Sequence, residues 1–118
     1  MKVAIDTTKR KADLEAAAKQ LRDALEIANI EWPVGSGTIW QVRDKDRDRM
    51  QRTIDTAKLI EAPPEMTVEW ILADDHIRTT TASDLQSVLA AYTMRMSAIF
   101  TAYNTWRSVG ITSPFTGD

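Results

Sequence analysis

The chain holds 118 residues, 43% of them hydrophobic and 27% charged, with 15 basic against 17 acidic side chains and no cysteine. That length suits one domain, and that balance excludes a disordered tail. A net charge of −2 argues against a nucleic-acid binder, and the lack of cysteine removes disulfides, thiol nucleophiles and cysteine-bound zinc.

Membrane insertion and export are not predicted either. The longest charge-free runs, residues 32–42 and 96–106, contain several polar side chains and fall short of the roughly 20 apolar residues a span requires. The start, Met1-Lys2-Val3-Ala4-Ile5-Asp6, lacks the apolar stretch of a signal peptide. A single histidine leaves few parts for a conventional catalytic site.

A first helix is predicted over about residues 9–28. Leu14, Ala18, Leu21, Leu25 and Ala28 recur at alternating spacings of four and three, which lines them on one face. Thr7 or Thr8 would cap its start. Pro33 then forbids continuation, and Ile30-Glu31-Trp32 and Thr38-Ile39-Trp40-Gln41-Val42 flank Pro33-Val34-Gly35-Ser36-Gly37. This pattern predicts a short hairpin that brings Trp32 near Trp40. Asp44 reads as the cap of a second helix over residues 45–61, whose apolar positions are Met50, Ile54, Ala57 and Ile60. Ala62-Pro63-Pro64-Glu65 stops it.

A second hairpin follows. Val68, Trp70 and Leu72 alternate with Thr67, Glu69 and Ile71, as in a half-buried strand. Ala73-Asp74-Asp75-His76 makes the turn, and Ile77-Arg78-Thr79-Thr80-Thr81 returns. Thr81-Ala82-Ser83-Asp84 reads as a helix cap with an acidic first turn. Leu85, Leu89, Tyr92, Met96, Ile99, Tyr103 and Trp106 then keep a four-three repeat as far as Gly110, the expected C-cap. The fold class is therefore α+β: three helices and two short hairpins in one domain over 1–118, with residues 110–118 expected to form a flexible tail.

Four constellations invite a chemical reading. Asp44, Asp46, Asp48 and Asp55 match acidic positions of a calcium loop, but Arg49 occupies the turn position that requires glycine, and cations alternate with the carboxylates. The segment reads better as a solvated helix start with local ion pairs; phosphate binding by Arg43, Arg47 and Arg49 is weakened by the interleaved aspartates. Asp74, Asp75 and His76 read as turn formers. Ser83 with His76 lacks a nucleophile elbow, and Gly35-Ser36-Gly37 lacks the lysine and spacing of a phosphate loop. No catalytic, cofactor or metal residues are expected.

The order of the elements resembles a family of tailed-phage and prophage domains of unknown function encoded with tail-fibre genes. The likeness runs over about residues 9–111. It is carried by Trp40-Gln41-Val42-Arg43-Asp44-Lys45-Asp46-Arg47, by Thr67-Val68-Glu69-Trp70-Ile71-Leu72-Ala73-Asp74-Asp75, and by Asp84-Leu85 opening the last helix. The turn departs from the family's pattern, with Asp75-His76 where asparagine is expected after the first aspartate. The resemblance implies a non-enzymatic tail protein of fibre or baseplate, with a tail-fibre assembly chaperone as the alternative; an enzyme or sugar-binding module ranks third. Its partners would be phage tail or fibre proteins or a second copy of the chain, with no nucleic acid, membrane or cofactor. Its place would be the virion tail, or the host cytoplasm during assembly. The expected contact surface is Leu89, Tyr92, Met96, Ile99, Tyr103 and Trp106 on the last helix, with Trp32 and Trp40 of the first hairpin.

Overall fold

A computed structural model of the chain describes residues 7–118, the side chain of Thr7 excepted. The elements run α1 (Thr7–Ile27), β1 (Ile30–Glu31), β2 (Ile39–Trp40), α2 (Asp44–Leu59), β3 (Thr67–Ile71), β4 (Ile77–Thr81) and α3 (Ala82–Ser108). β1 pairs with β2 and β3 with β4, both antiparallel, as two separate two-stranded sheets. This is the α+β arrangement of three helices and two short hairpins, with a long C-terminal helix. The expected Thr7 cap and the segment before it lie outside the described residues, and Thr8 lies within α1. Among the described residues, no helix is long and apolar enough to cross a membrane.

The contacts divide the chain into two compact units. One takes in α1 as far as Glu26 and resumes over Met96–Asp118; the other is Ile27–Arg95. α3 runs through both, its first half in the second unit and its second half in the first.

In the first unit, Ala18 of α1, Tyr103 of α3 and Phe115 form a buried cluster, against which Leu21, Ala102 and Trp106 pack. The Phe115 ring meets Tyr103 edge-on at 5.6 Å and lies 5.7 Å from Trp106. The Trp106 indole N–H donates to the Ser113 carbonyl at 2.8 Å. The segment after Gly110, expected to be loose, therefore folds back onto the helices. Phe115, only 6% exposed, anchors it: burial of that ring and the Trp106–Ser113 hydrogen bond each offset part of the entropy cost of ordering the segment. Gly117 allows that return: its φ is 91°, and a Cβ there would meet Leu25 Cδ1 at 2.9 Å.

In the second unit the buried apolar side chains include Trp40, Val42, Met50, Ile54, Leu85 and Val88. The first hairpin has only two cross-strand pairs, Ile30 with Trp40 and Glu31 with Ile39. Its loop is held by Glu31, whose two carboxylate oxygens accept the Gly35 and Gly37 N–H groups at 2.9 and 3.1 Å. The Trp40 indole N–H donates to the Trp32 carbonyl at 2.8 Å, which brings the two tryptophans together as expected. The second hairpin has five pairs, Thr67 with Thr81 through Ile71 with Ile77. The Ala73 N–H, just beyond it, donates to the Ile39 carbonyl at 3.0 Å and ties the hairpins together.

Both later helices start with an aspartate in their first turn that reaches backwards. For α3, the Asp84 carboxylate accepts the Thr81 N–H at 3.0 Å while the Thr81 hydroxyl accepts the Asp84 N–H at 3.1 Å, a reciprocal cap. For α2, the capping position is Arg43 and not Asp44: Asp46 accepts the Arg43 backbone N–H at 3.1 Å. Asp44 is already helical, so its side chain is not placed to close the helix start.

Candidate functional site

The residues expected to meet a partner are largely enclosed by the chain itself. Trp40, Tyr92, Ile99 and Tyr103 are buried, and Trp32, Leu89, Met96 and Trp106 are half-buried. The four-three repeat of α3 marks a shared face, and that face is turned inward. Tyr92 lies under the Arg47 guanidinium at 4.2 Å, and Tyr103 under that of Arg22 at 4.7 Å. The seam is core, so an open contact surface must be sought elsewhere.

One such surface lies at the end of α2. Ile60 closes the helix by donating its N–H to the Thr56 carbonyl at 3.0 Å. Glu61 takes a left-handed φ of 51°, the Ala62 N–H returns to the Ala57 carbonyl at 2.9 Å, and Pro63 and Pro64 prevent any resumption of the helix. The chain then turns into β3, with the Met66 N–H on the Pro63 carbonyl at 3.0 Å. These turns leave a groove of about 390 Å³, walled mainly by Ala57, Ile60, Pro63, Pro64, Met66 and Val68. Ile60 and Met66 are 55% and 48% exposed, and neighbouring Leu59 is 84% exposed. The sequence reading treated Ala62-Pro63-Pro64-Glu65 only as a helix stop. The available signal was the adjacent Leu59-Ile60, an apolar pair at a helix end where the seam has no further turn to face.

A second surface lies at the other end of α2, where the alternating charges separate into two roles. Arg43 is engaged by Asp46, its Nε donating at 2.9 Å, and this carboxylate holds the guanidinium above its ordinary pKa. Arg47 donates its Nε to the Val42 carbonyl at 3.0 Å and pairs with Asp44, besides stacking on Tyr92. Those two arginines fix the helix start, so Arg43, Arg47 and Arg49 do not form one phosphate clamp. Lys45 and Arg49, four apart on one face of α2, instead line a cleft of about 290 Å³ together with Gln41, the Arg43–Asp46 pair and Glu69, Trp70 and Ile71 of β3. Among the described residues no carboxylate lies within ion-pair distance of either cation.

Asp74 and His76 make a turn, as expected. Asp74 Oδ1 accepts the His76 backbone N–H at 3.1 Å, its Oδ2 lies 2.7 Å from His76 Nδ1, and Asp75 takes a left-handed φ of 66°. The side-chain hydrogen bond is the main cause that raises the His76 pKa and lowers that of Asp74. Among the described residues, no three His, Asp or Glu side chains converge on a point where they could hold a metal ion.

A family model described as a domain of unknown function, DUF4376, matches residues 9–111. The chain belongs to the DUF4376 family. No curated protein and no solved structure matches it. The span matched in this DUF4376 chain holds the groove, the charged cleft and both hairpins, but ends short of Phe115, which completes the first unit's buried cluster.

Proposed function

We propose that this DUF4376 protein is a non-enzymatic accessory part of a bacteriophage tail, at fibre or baseplate, acting through protein–protein contacts in the virion or, during assembly, in the host cytoplasm. The phage setting is supported by the order of motifs from Trp40-Gln41-Val42-Arg43-Asp44 to the turn before α3. The contact itself is supported by one observation above others, the apolar groove at the end of α2. Ile60 and Met66 stand in water there although neither hydrogen-bonds with it, and covering an apolar side chain fully contributes about 1.5–3 kcal/mol. A tail or fibre protein that inserts an apolar segment between Ile60 and Pro64 gains that contribution without reshaping the backbone.

Co-purification with a bacteriophage tail-fibre protein tests this reading. Ala57→Arg or Met66→Asp, both at the groove, should abolish capture while circular dichroism stays unchanged; undiminished capture by both folded variants overturns it. Mass spectrometry of purified virions then assigns the role. Stoichiometric presence marks a resident part, and absence marks a fibre-assembly chaperone that leaves. Sedimentation of the isolated chain checks for a second copy in the groove, since a dimer broken by Ala57→Arg would replace the fibre partner with a self-contact.

A further inference from the structure

The buried cluster of the first unit is built from two unlike parts. Ala18 and Leu21 of α1, with Ala102, Tyr103 and Trp106 of α3, are carried on helices and lie within the span that the family model matches. Phe115 belongs to a segment without helix or strand and lies beyond that span. The helices form a seat, and the ring fills it. The segment is held by the Phe115 ring against Tyr103 and Trp106, by the Ser113 carbonyl accepting the Trp106 indole N–H, and by Gly117 beside Leu25. Among the described residues, the one backbone–backbone hydrogen bond made by residues 111–118 runs from the Thr112 N–H to the Gly110 carbonyl at 3.2 Å, in the turn that leaves α3. Gly110 is the hinge. Its φ is 95°, and nothing stands within 4 Å of where a Cβ would be, so it adopts turned-back and extended backbone alike.

Lifting the segment breaks no ladder. It exposes one ring, leaves the Trp106 N–H to water and returns the conformational entropy that ordering had removed. The seat then asks for the same two features: an aromatic ring edge-on to Tyr103, and a backbone carbonyl two residues before it for Trp106. Ser113-Pro114-Phe115 supplies both, and every copy of the chain carries it. The contacts are identical whether the segment comes from its own chain or from another, so relative concentration decides between them. A segment on a short flexible link has an effective concentration in the millimolar range, which a second copy at similar concentration matches. Charge does not oppose the meeting: Arg22 and Arg107 flank the Tyr103 ring at 4.7 and 5.5 Å, and the incoming segment carries Asp118 and no cation. Reciprocal exchange of one segment between identical chains closes on a two-fold axis and is a low-cost route to a dimer. We infer that the seat of Ala18, Leu21, Tyr103 and Trp106 docks residues 112–118 of a second copy, given in exchange for its own.

Mixing two isotopic forms of the full chain tests the exchange. Uniformly carbon-13-labelled and unlabelled chains are combined in equal amounts and concentrated to about 1 mM. An isotope-filtered NOE spectrum passes only contacts between a labelled and an unlabelled chain, and should join the Tyr103 ring to a Phe115 ring. Absence of that contact overturns the assignment and leaves the segment a fixed part of its own chain's core. Sedimentation equilibrium should show a dimer with a dissociation constant of roughly 0.1–10 mM. Phe115→Ser, with folding checked by circular dichroism, should weaken that dimer at least roughly tenfold, and Ala57→Arg should leave it unchanged. A dimer that survives Phe115→Ser overturns the assignment, and one abolished by Ala57→Arg does so in favour of a second copy in the groove. The filtered spectrum needs no variant, so it decides the question even where Phe115→Ser fails to fold. Ala57 and Met66 belong to the other unit, so the outcome is independent of the fibre-capture experiment.

Discussion

The two hairpins invert the usual relation between strand length and anchoring. The first has two cross-strand pairs, yet its Trp40 is completely enclosed, with its N–H on the Trp32 carbonyl and the Arg78 guanidinium 5.2 Å from its ring. The second has five pairs, yet of its strand residues only Thr80 is fully buried, and Ile71 and Ile77, which face each other beside the turn, are 63% and 64% exposed. Ladder hydrogen bonds replace bonds to water and contribute little net, whereas enclosing an indole removes a large apolar area from water. A short strand fixed by one large side chain is thus held more firmly than a longer one that ends in solvent.

Truncating that side chain is the strongest test of the comparison. Trp40→Ala should destabilise the chain by about 3–5 kcal/mol in a denaturant titration, enough to unfold a marginal domain. A loss below about 1 kcal/mol would mean that Trp40 does not anchor the first hairpin. Glu31→Ala comes next. It removes the acceptor of the Gly35 and Gly37 N–H groups, both in an exposed loop, and should cost about 1 kcal/mol while raising amide exchange at those two glycines.

The second hairpin should respond far less. Ile71→Thr together with Ile77→Thr keeps β-branched residues on an exposed face, and stability should stay within about 0.5 kcal/mol. A larger loss would show that this end of the hairpin is covered in solution. The smallest effect is a pH dependence confined to the turn. His76 has a raised pKa when folded, so its pairing with Asp74 is complete below the ordinary histidine value of about 6.5 and fades as pH rises through the folded value. Asp74 has a lowered pKa, so its contribution is present above the ordinary aspartate value of about 3.9 and fades as pH falls through the folded one. The turn should therefore be firmest between about pH 4 and 6.5, read from the backbone amide resonances of residues 74–76, and His76→Ala should flatten that profile.

Much of the local structure was legible. Thr81 and Asp84 announced the α3 cap because a hydroxyl and a carboxylate three residues apart can satisfy each other's N–H groups without help from the rest of the chain. The alternation from Thr67 to Leu72 gave the strand for an equally local reason. Asp44 misled because it is one of three aspartates at the start of α2, and only the backbone path decides which of them reaches back to Arg43. The candidate sites were legible in part: Arg43 to Arg49 stood out as unusual, but the engagement of Arg47 depended on the Val42 carbonyl and the Tyr92 ring. The groove around Ile60 left almost no trace, since it is a space between segments.

The sequence by itself determined the elements and their kind, because helix and strand periods, caps and proline stops act over a few residues. It also placed the chain in its family. The tertiary structure alone decided what each apolar face meets. The repeat from Leu85 to Trp106 states that these side chains lie together, and says nothing of what covers them. Part of the answer lies beyond the periodic segments, in Phe115, which joins Ala18 and Tyr103 in the first unit's buried cluster. Whether a face becomes core or contact surface is settled by segments distant in sequence, because burial is a property of everything that comes near and not of the residue itself.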